Sequence, residues 1–519
     1  MKVAVVGSGA AGLAATWLLN EHSEHEVHLY EADDRPGGHA NTVRFTPPGK
    51  SAEEGVDVDT GFIVFNPSTY PNFIAFLKHA CIPYLPTEMT FSVTRDGGAF
   101  EWAGDNLATV FCQPYRLWDP RMWRLLYDVL RFNAFARGIL SEKISEDQKA
   151  KEMSIGEYLA REGYSEVFKD DYLIPMTACI WSTPADKCAL DFPARTLIQF
   201  LSNHHLLQIT GKPSWLTIKG GSHQYVNRIL SKLPADQLHL STPITSASTQ
   251  TGTNTVLLTT RDGATHAYDH VIFACHSDTT LSILRAGEGM TPEEERILGM
   301  FEWNRNEAVL HADVALMPQS RKAWTCWNYL TRSVLDENGH RKANSDEVSL
   351  TYGMNQLQHI SEKQYGPVLV TLNPPFEPDA STVGGRWKYD HPVLDANSVR
   401  AQTLMKDIQR TRAISYAGAW LKYGFHEDAF ASGLDAARRL LPADAPLPFE
   451  IQMEVDRKPP SAWLAVLCLR VFAASGGEWV VGTVGAWVCA VWGWCVWTVF
   501  GWGARLREET ALRRKVKVD

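Results

Sequence analysis

The sequence predicts an α/β fold in which one domain of parallel strands is assembled from separate stretches of chain and interleaved with an α+β domain. Three observations predict it: a strand–turn–helix unit at residue 2 onward, an acid closing the next apolar stretch, and later segments of the same character. The apolar run Val3-Ala4-Val5-Val6 leads into Gly7-Ser8-Gly9-Ala10-Ala11-Gly12, and a helix is predicted from Ala10 to Leu19. Gly7 permits the tight turn out of the strand, Gly9 lets backbone approach a pyrophosphate, and Gly12 lets the helix pack closely on the strand. The helix then offers free N–H groups and a positive dipole end to phosphates. Glu31 follows Gly12 by 19 residues and is placed to accept hydrogen bonds from a ribose 2′-hydroxyl. Together these make a Rossmann-like dinucleotide-binding unit, with Gly7, Ser8, Gly9, Ala10, Ala11, Gly12 and Glu31 as its contact residues.

The next residues select the dinucleotide. Glu31-Ala32-Asp33-Asp34-Arg35-Pro36-Gly37-Gly38-His39-Ala40-Asn41-Thr42 resembles the extended signature of FAD enzymes of the flavin-containing amine oxidase and phytoene desaturase superfamily. Gly37-Gly38 lets a second backbone segment run beside the pyrophosphate, which a nicotinamide enzyme does not need. The resemblance implies FAD as cofactor and a GDI-like flavoprotein fold, with Ala32, Arg35, Gly37, Gly38, His39, Thr42, Gly61, Phe62 and Ile244 at the cofactor. His39 stands where many relatives carry Arg, which removes the usual bidentate phosphate contact. Farther on, Ile414-Ser415-Tyr416-Ala417-Gly418 reads as a strand and turn, and Gly424 to Gly433 leads into a helix over Leu434 to Leu441. This stretch resembles the C-terminal flavin-binding segment of the superfamily and implies contacts from Gly418, Glu427, Asp428 and Ala429, the last replacing a glycine usual in relatives. Asp269 to Cys275 resembles the returning strand of that fold, and Gly220-Gly221-Ser222 precedes a helix beginning near Tyr225.

Finer motifs resemble one branch of this superfamily, whose members are associated with cyclopropane fatty-acyl-phospholipid synthases. They include Gly38-His39-Ala40-Asn41-Thr42-Val43, Ile180-Trp181-Ser182, Asn203-His204-His205-Leu206-Leu207 and Tyr423-Gly424-Phe425-His426-Glu427-Asp428. The resemblance spans roughly residues 1 to 460. It implies a fatty-acyl-like substrate and a cyclopropane fatty acid synthase as pathway partner.

The expected organisation follows. Residues 1–62, 218–275 and 408–442 form the FAD-binding domain, and 63–217 with 276–407 form the substrate domain. Residues 345–395 alternate apolar and polar and are expected as strands of a sheet roofing the flavin. Residues 105–165 are expected to be helical, with Trp118, Trp123, Leu130 and their neighbours interleaved with Arg116, Arg121, Arg124 and Arg131. An amphipathic cap helix is the favoured reading there, and a lipid-facing entrance the alternative. The net charge of −9 argues against a nucleic-acid partner. Nine cysteines without a CxxC pair argue against a zinc site or a disulfide framework, so no metal is expected. Met1 is followed at once by the first strand, so a cytosolic catalytic body is expected.

The last sixty residues differ in character. Val480 to Gly503 carries no charge and holds five tryptophans, long enough to span a bilayer. The membrane-associating segment is placed at 462–503, with Ala462 to Ala474 as a shorter apolar stretch broken by Arg470. The tail 504–519 has six basic residues against three acidic ones. Positive-inside bias keeps that tail on the catalytic side, which favours a hairpin or interfacial anchor over a single span; a buried soluble helix is the alternative.

The chemistry implied is hydride removal from a C–H bond to flavin N5, with oxygen or a quinone as final acceptor. Only one dinucleotide fingerprint is present, so electrons enter from the organic substrate. His426 is the candidate acid–base residue, with orientation of the flavin loop as its other reading; His391 and His311 are weaker candidates. Three further functions stay open: an amine oxidase, a redox-neutral flavin isomerase, and a non-catalytic lipid-binding chaperone of the same fold.

Overall fold

The computed structural model describes residues 1–142, 153–181, 190, 192–208, 214–250, 252, 255–335, 341–344, 348–453 and 463–475. Its first layer is a five-stranded sheet whose central strand is β1 (Lys2–Val6), followed by helix α1 (Ala10–His22) and β2 (Glu26–Tyr30). β1 pairs in parallel with β2 on one side and with His270–Phe273 on the other, and Ile414–Tyr416 extends the sheet beyond that strand. Parallel strands are covered on both faces, and the alternation of side chains decides what covers each. Val3, Val5, Val27 and Leu29 pack with α1 and the helix His426–Arg438. Ala4, Val6, Tyr30, Val271 and Phe273 pack with the three-stranded antiparallel sheet that starts at Ile244.

α1 is buried over the whole stretch from Ala10 to Leu19. A helix apolar on all sides belongs between two layers, and this one lies between the sheet and the helix His426–Arg438. The approach is close enough that a Cβ on Gly433 would sit 2.0 Å from the Ala11 carbonyl oxygen. That second helix begins at His426, earlier than the expected start at Leu434, and ends at Arg438. The earlier start has a local cause: the Asp428 carboxylate accepts the Phe425 N–H at 3.0 Å and closes the first turn.

The second layer is a seven-stranded sheet. Three of its strands, Ser349–Gly353, Leu369–Leu372 and Gly385–Pro392, fall in the stretch expected to alternate. Another, Trp303–His311, pairs antiparallel with both Leu369–Leu372 and Gly385–Pro392. Its apolar face shares a core with the helices of the region between residues 107 and 207.

Within 105–165 the described residues are largely helical, and the helix Pro120–Phe135 buries Met122, Leu125 and Phe132. Three of the four arginines noted there turn inward: Arg116 pairs with Asp119, Arg124 with Asp128, and Arg131 lies 4.0 Å over the Tyr164 ring. Only Arg121 is mostly exposed, so the basic half of the lipid-entrance reading is not built. Trp118 and Trp123 do face solvent.

The apolar stretch at 462–474 becomes the helix Trp463–Ala474, and no helix among the described residues is long and apolar enough to cross a membrane. The membrane segment therefore has no structural counterpart here; Val480 to Gly503 and the tail 504–519 lie outside the described residues, as does Ser182.

Candidate functional site

The site begins at the N-terminus of α1. No side chain caps that terminus, and its first turn holds no acid. Its leading N–H groups thus keep the positive end of the helix dipole available to an anion. The helix can start so near the strand because Gly12 has no side chain; a Cβ there would lie 1.8 Å from the Gly7 carbonyl oxygen. Ser8 donates its backbone N–H to Glu31 Oε2 at 2.9 Å, which fixes the acid at the tip of β2. Gly37 donates to the Ser8 carbonyl at 3.1 Å, and Arg35 donates to the Gly38 carbonyl at 2.9 Å, so the second glycine loop lies against the first.

A cavity of about 250 Å³ opens from this loop pair and runs toward the second layer. Its near end is lined by Gly9, Ala10, Ala11, Gly61, Phe62, Gly418 and Ala429. Its far end is lined by Met89, Cys179, Ile180, Phe200, Leu206, Trp215, Trp327 and Tyr352. Among the described lining residues Asp390 is the one with an ordinary formal charge, and Arg305 pairs with it. Between the two ends stand His39, His276, His391 and His426. The His39 ring lies 5.3 Å from His391, and His276 stacks on Trp303 at 3.8 Å. Burial pushes all four imidazoles below their usual range, His391 to about 4 and His426 to about 3, so the group is neutral at physiological pH.

The sequence-predicted residues separate into two sets. Gly9, Ala10, Ala11, His39, Gly61, Phe62, Gly418, Ala429 and His426 converge on the cavity, with Gly7, Ser8, Gly12, Glu31, Arg35, Gly37 and Gly38 building the loops behind them. His426 stacks face to face on Phe62 at 3.7 Å and its Nε2 meets the Tyr225 hydroxyl at 3.0 Å. That clamp makes it a wall residue as much as a candidate acid–base group. The other set does not line the cavity. Ala32 is exposed beside β2, and Ile244 is buried in the core beneath the five-stranded sheet. Thr42 donates to Asp59 at 2.6 Å. Asp428 serves the cap already described. Glu427, expected at the cofactor, turns to the helix α2 (Pro71–His79): its carboxylate accepts the N–H groups of Asn72 and Phe73, both at 2.9 Å, and the Asn72 amide at 2.7 Å. An acid at a helix N-terminus satisfies donors that would otherwise be orphaned, and that outcome overrides the position in the motif.

Sequence reasoning missed two groups. Asp59 is a buried carboxylate that accepts from Thr42, from the Ser222 N–H and hydroxyl, and from the Gln358 amide. It ties the Gly220-Gly221 turn to the second glycine loop, and burial raises it to about 6. The second group is the asparagine set around His391, in which Asn306 Nδ2 donates to His391 Nδ1 at 2.9 Å.

These residues fit FAD. The uncapped α1 terminus and the space at Gly9, where a Cβ would meet nothing within 4 Å, leave room for a pyrophosphate. Glu31 remains able to accept from a ribose, because a carboxylate has about four acceptor positions.

Comparison with known proteins gives the same assignment. The sequence model described as flavin containing amine oxidoreductase matches residues 10–295, more than half of the chain. A CLA-producing fatty acid isomerase from P. acnes superposes with a TM-score of 0.58 at 13% identity, covering 85% of this chain and 98% of that one. Cyclohexylamine oxidase from Brevibacterium oxydans IH-35A gives 0.56 at 14% identity over 85% and 98%. A reduced UDP-galactopyranose mutase gives 0.55 at 16% over 85% and 93%. At these identities the likeness is one of fold. No curated protein sequence matches the chain.

Proposed function

We propose that this chain, which belongs to the flavin containing amine oxidoreductase family and is an FAD-dependent oxidoreductase, acts on a hydrophobic, fatty-acyl-like substrate. The observation that carries the substrate class is the far end of the cavity. Phe200, Leu206, Trp215, Trp327 and Tyr352 line it, and the only ordinary charge among the described lining residues, Asp390, is already paired with Arg305. An ammonium group would find no unpaired carboxylate among the described lining residues. An alkyl chain would exchange water for apolar wall at roughly 25 cal/mol per Å².

FAD, when bound, supplies the hydride acceptor. The protein contributes a glycine-lined loop pair for the pyrophosphate, Glu31 for the ribose, and an apolar sleeve that excludes water. The reaction is a desaturation: the substrate loses one hydride and one proton from adjacent carbons, and dioxygen or a quinone receives the electron pair in the end. The branch motifs support a cyclopropane-bearing acyl chain, made by a synthase acting earlier in the same pathway, or the monounsaturated chain from which that synthase makes it.

The proposed setting is a membrane surface with the catalytic body on the cytosolic side. Nine of the thirteen exposed large apolar side chains among the described residues fall at 107–130 and 467–472, including Trp118, Trp123 and Val471. The two stretches adjoin through Tyr127 and Phe472, whose rings are 5.7 Å apart. The uncharged Val480 to Gly503 and the basic tail support the same reading. Flotation of the full chain with phosphatidylglycerol vesicles checks it, and protein that stays at the bottom of the gradient contradicts it.

Mass spectrometry of products tests the reaction. A fatty acyl phospholipid incubated aerobically with the FAD-loaded protein is expected to become lighter by two hydrogens. A product of unchanged mass with a moved double bond would assign an isomerase, and turnover confined to primary amines would assign an amine oxidase; either overturns the proposal.

A further inference from the structure

The histidines between the two ends of the cavity could each present either a proton or a lone pair, because a neutral imidazole has two tautomers. At His391 the surrounding amides remove that freedom. The argument starts from a donor that cannot be reversed, the backbone N–H of Glu307, which donates to Asn373 Oδ1 at 2.9 Å. Asn373 must therefore offer its amide nitrogen on the other side, and Nδ2 donates to Asn306 Oδ1 at 2.7 Å. Asn304 Nδ2 donates to the same oxygen at 3.0 Å. With its oxygen so occupied, Asn306 turns Nδ2 toward His391 Nδ1 at 2.9 Å. A second fixed group agrees: the backbone carbonyl of Asn304, which can only accept, lies 3.4 Å from Asn306 Nδ2. Nδ1 of His391 is thus an acceptor, and the proton of the neutral ring sits on Nε2.

We infer that Asn306 is a positioning residue that locks His391 in the neutral Nε2–H form, so that the cavity meets a hydrogen-bond donor where its glycine-lined and apolar ends join. The inference rests on this cavity being the site of the proposed reaction. Asn306 itself is buried, while His391 keeps part of its surface open and lines the cavity. The titratable groups facing His391 are His39, His276 and Asp390, the last held by Arg305. Burial and the neighbouring His276 outweigh the Tyr389 backbone hydrogen bond and the Asp390 charge, which both favour the protonated ring, and keep it uncharged at physiological pH, so the donor carries no net charge into an apolar chamber. It suits a ligand with a lone pair at that point, such as a carbonyl oxygen or a ring nitrogen.

Asn306→Asp reverses a single link of this chain. A carboxylate still accepts from Asn373 and Asn304, but toward His391 it can only accept, so the imidazole proton must move to Nδ1. Nitrogen-15 spectra of the FAD-loaded full chain, labelled at histidine and assigned with His391→Gln, read the tautomer directly and independently of turnover. The wild-type protein is expected to show Nε2 protonated and Nδ1 bare. Asn306→Asp is expected to exchange the two and to raise the His391 titration by roughly 1–3 pH units, because an opposite charge now faces the ring. The Nε2 signal is also expected to move when the protein is reduced with dithionite or mixed with oleate. A wild-type Nδ1–H ring, a tautomer indifferent to Asn306→Asp, or an Nε2 signal that both additions leave in place would each overturn the inference. Should the variant not fold, the wild-type tautomer alone decides. Failure of lipid turnover with the tautomer as stated would sink the substrate proposal and leave this one standing.

Discussion

The two ends of the cavity are built by different means. The near end is mostly backbone and the smallest side chains: Gly9, Ala10, Ala11, Gly61, Gly418 and Ala429 line it, and Phe62 is its one large side chain among those residues. The far end is side chain: aromatic and aliphatic groups from strands and helices spread between Met89 and Phe425 meet there. A surface made of backbone tolerates little change and recognises a group common to a whole family. A surface made of side chains can be rewritten one residue at a time, and is where substrate choice resides.

The sharpest break of that contrast is Gly12→Ala. One methyl group 1.8 Å from the Gly7 carbonyl forces the turn and α1 apart. Overpacking of this kind costs about 1–3 kcal/mol, occasionally more. The expected result is protein that purifies without flavin, read from the ratio of absorbance at 450 nm to that at 280 nm; full flavin content would show that the near end is not held by this contact.

Trp327→Ala addresses the far end alone. It should leave flavin content unchanged and lower kcat/KM for an acyl substrate by about 10–200-fold, the range for losing apolar contact in a pocket. Glu31→Gln is its counterpart. Loss of a charged acceptor at the ribose costs about 1.5–3 kcal/mol, so FAD should bind roughly 10–150-fold more weakly, while kcat/KM of the FAD-saturated protein stays as it was. Titration calorimetry and steady-state kinetics on both variants separate the two ends. If each variant changed both quantities, the ends would not be independent.

The smallest effect concerns the scaffold between them. Burial raises Glu427 to about 8 and Asp59 to about 6. Both exceed the values near 4 of an unfolded chain, so the folded state holds protons that the unfolded state has released. The stability tied to these two groups is complete below about pH 4 and is lost as pH rises through 6 for Asp59 and 8 for Glu427. Glu427→Gln is expected to flatten the decline between pH 6 and 8 in urea unfolding, at a cost of about 1 kcal/mol from weaker capping of α2. An unchanged slope would mean that Glu427 does not titrate in that window.

The near end was legible because its chemistry depends on missing side chains at fixed spacing. Gly7, Gly9, Gly12, Gly37 and Gly38 mark where backbone must come close, and a sequence shows a glycine directly. The far end was legible only in kind. Alternation over 345–395 announced strands, but nothing in that pattern brings Trp327 and Tyr352 into one cavity with Phe200. The His391 network was hidden for the same reason. Asn304 lies directly across from His391 in the pairing of Trp303–His311 with Gly385–Pro392, a register that a single sequence does not reveal. The alternating Asn304 and Asn306 on one strand were the available signal, since such residues are rare in a buried strand without a partner to satisfy. Glu427 was misplaced because a motif position says which segment nears the cofactor, not which way each side chain turns along a helix. Its carboxylate had a stronger claim in the free N–H groups of α2.

The most direct measurement of the central claim is an anaerobic absorbance spectrum of the FAD-loaded full chain, recorded before and after adding a cyclopropane or monounsaturated fatty acyl phospholipid. The account predicts that the flavin bands bleach in proportion to lipid added, because the acyl chain is the electron donor. Bands that remain unchanged with lipid but bleach with a primary amine would contradict it.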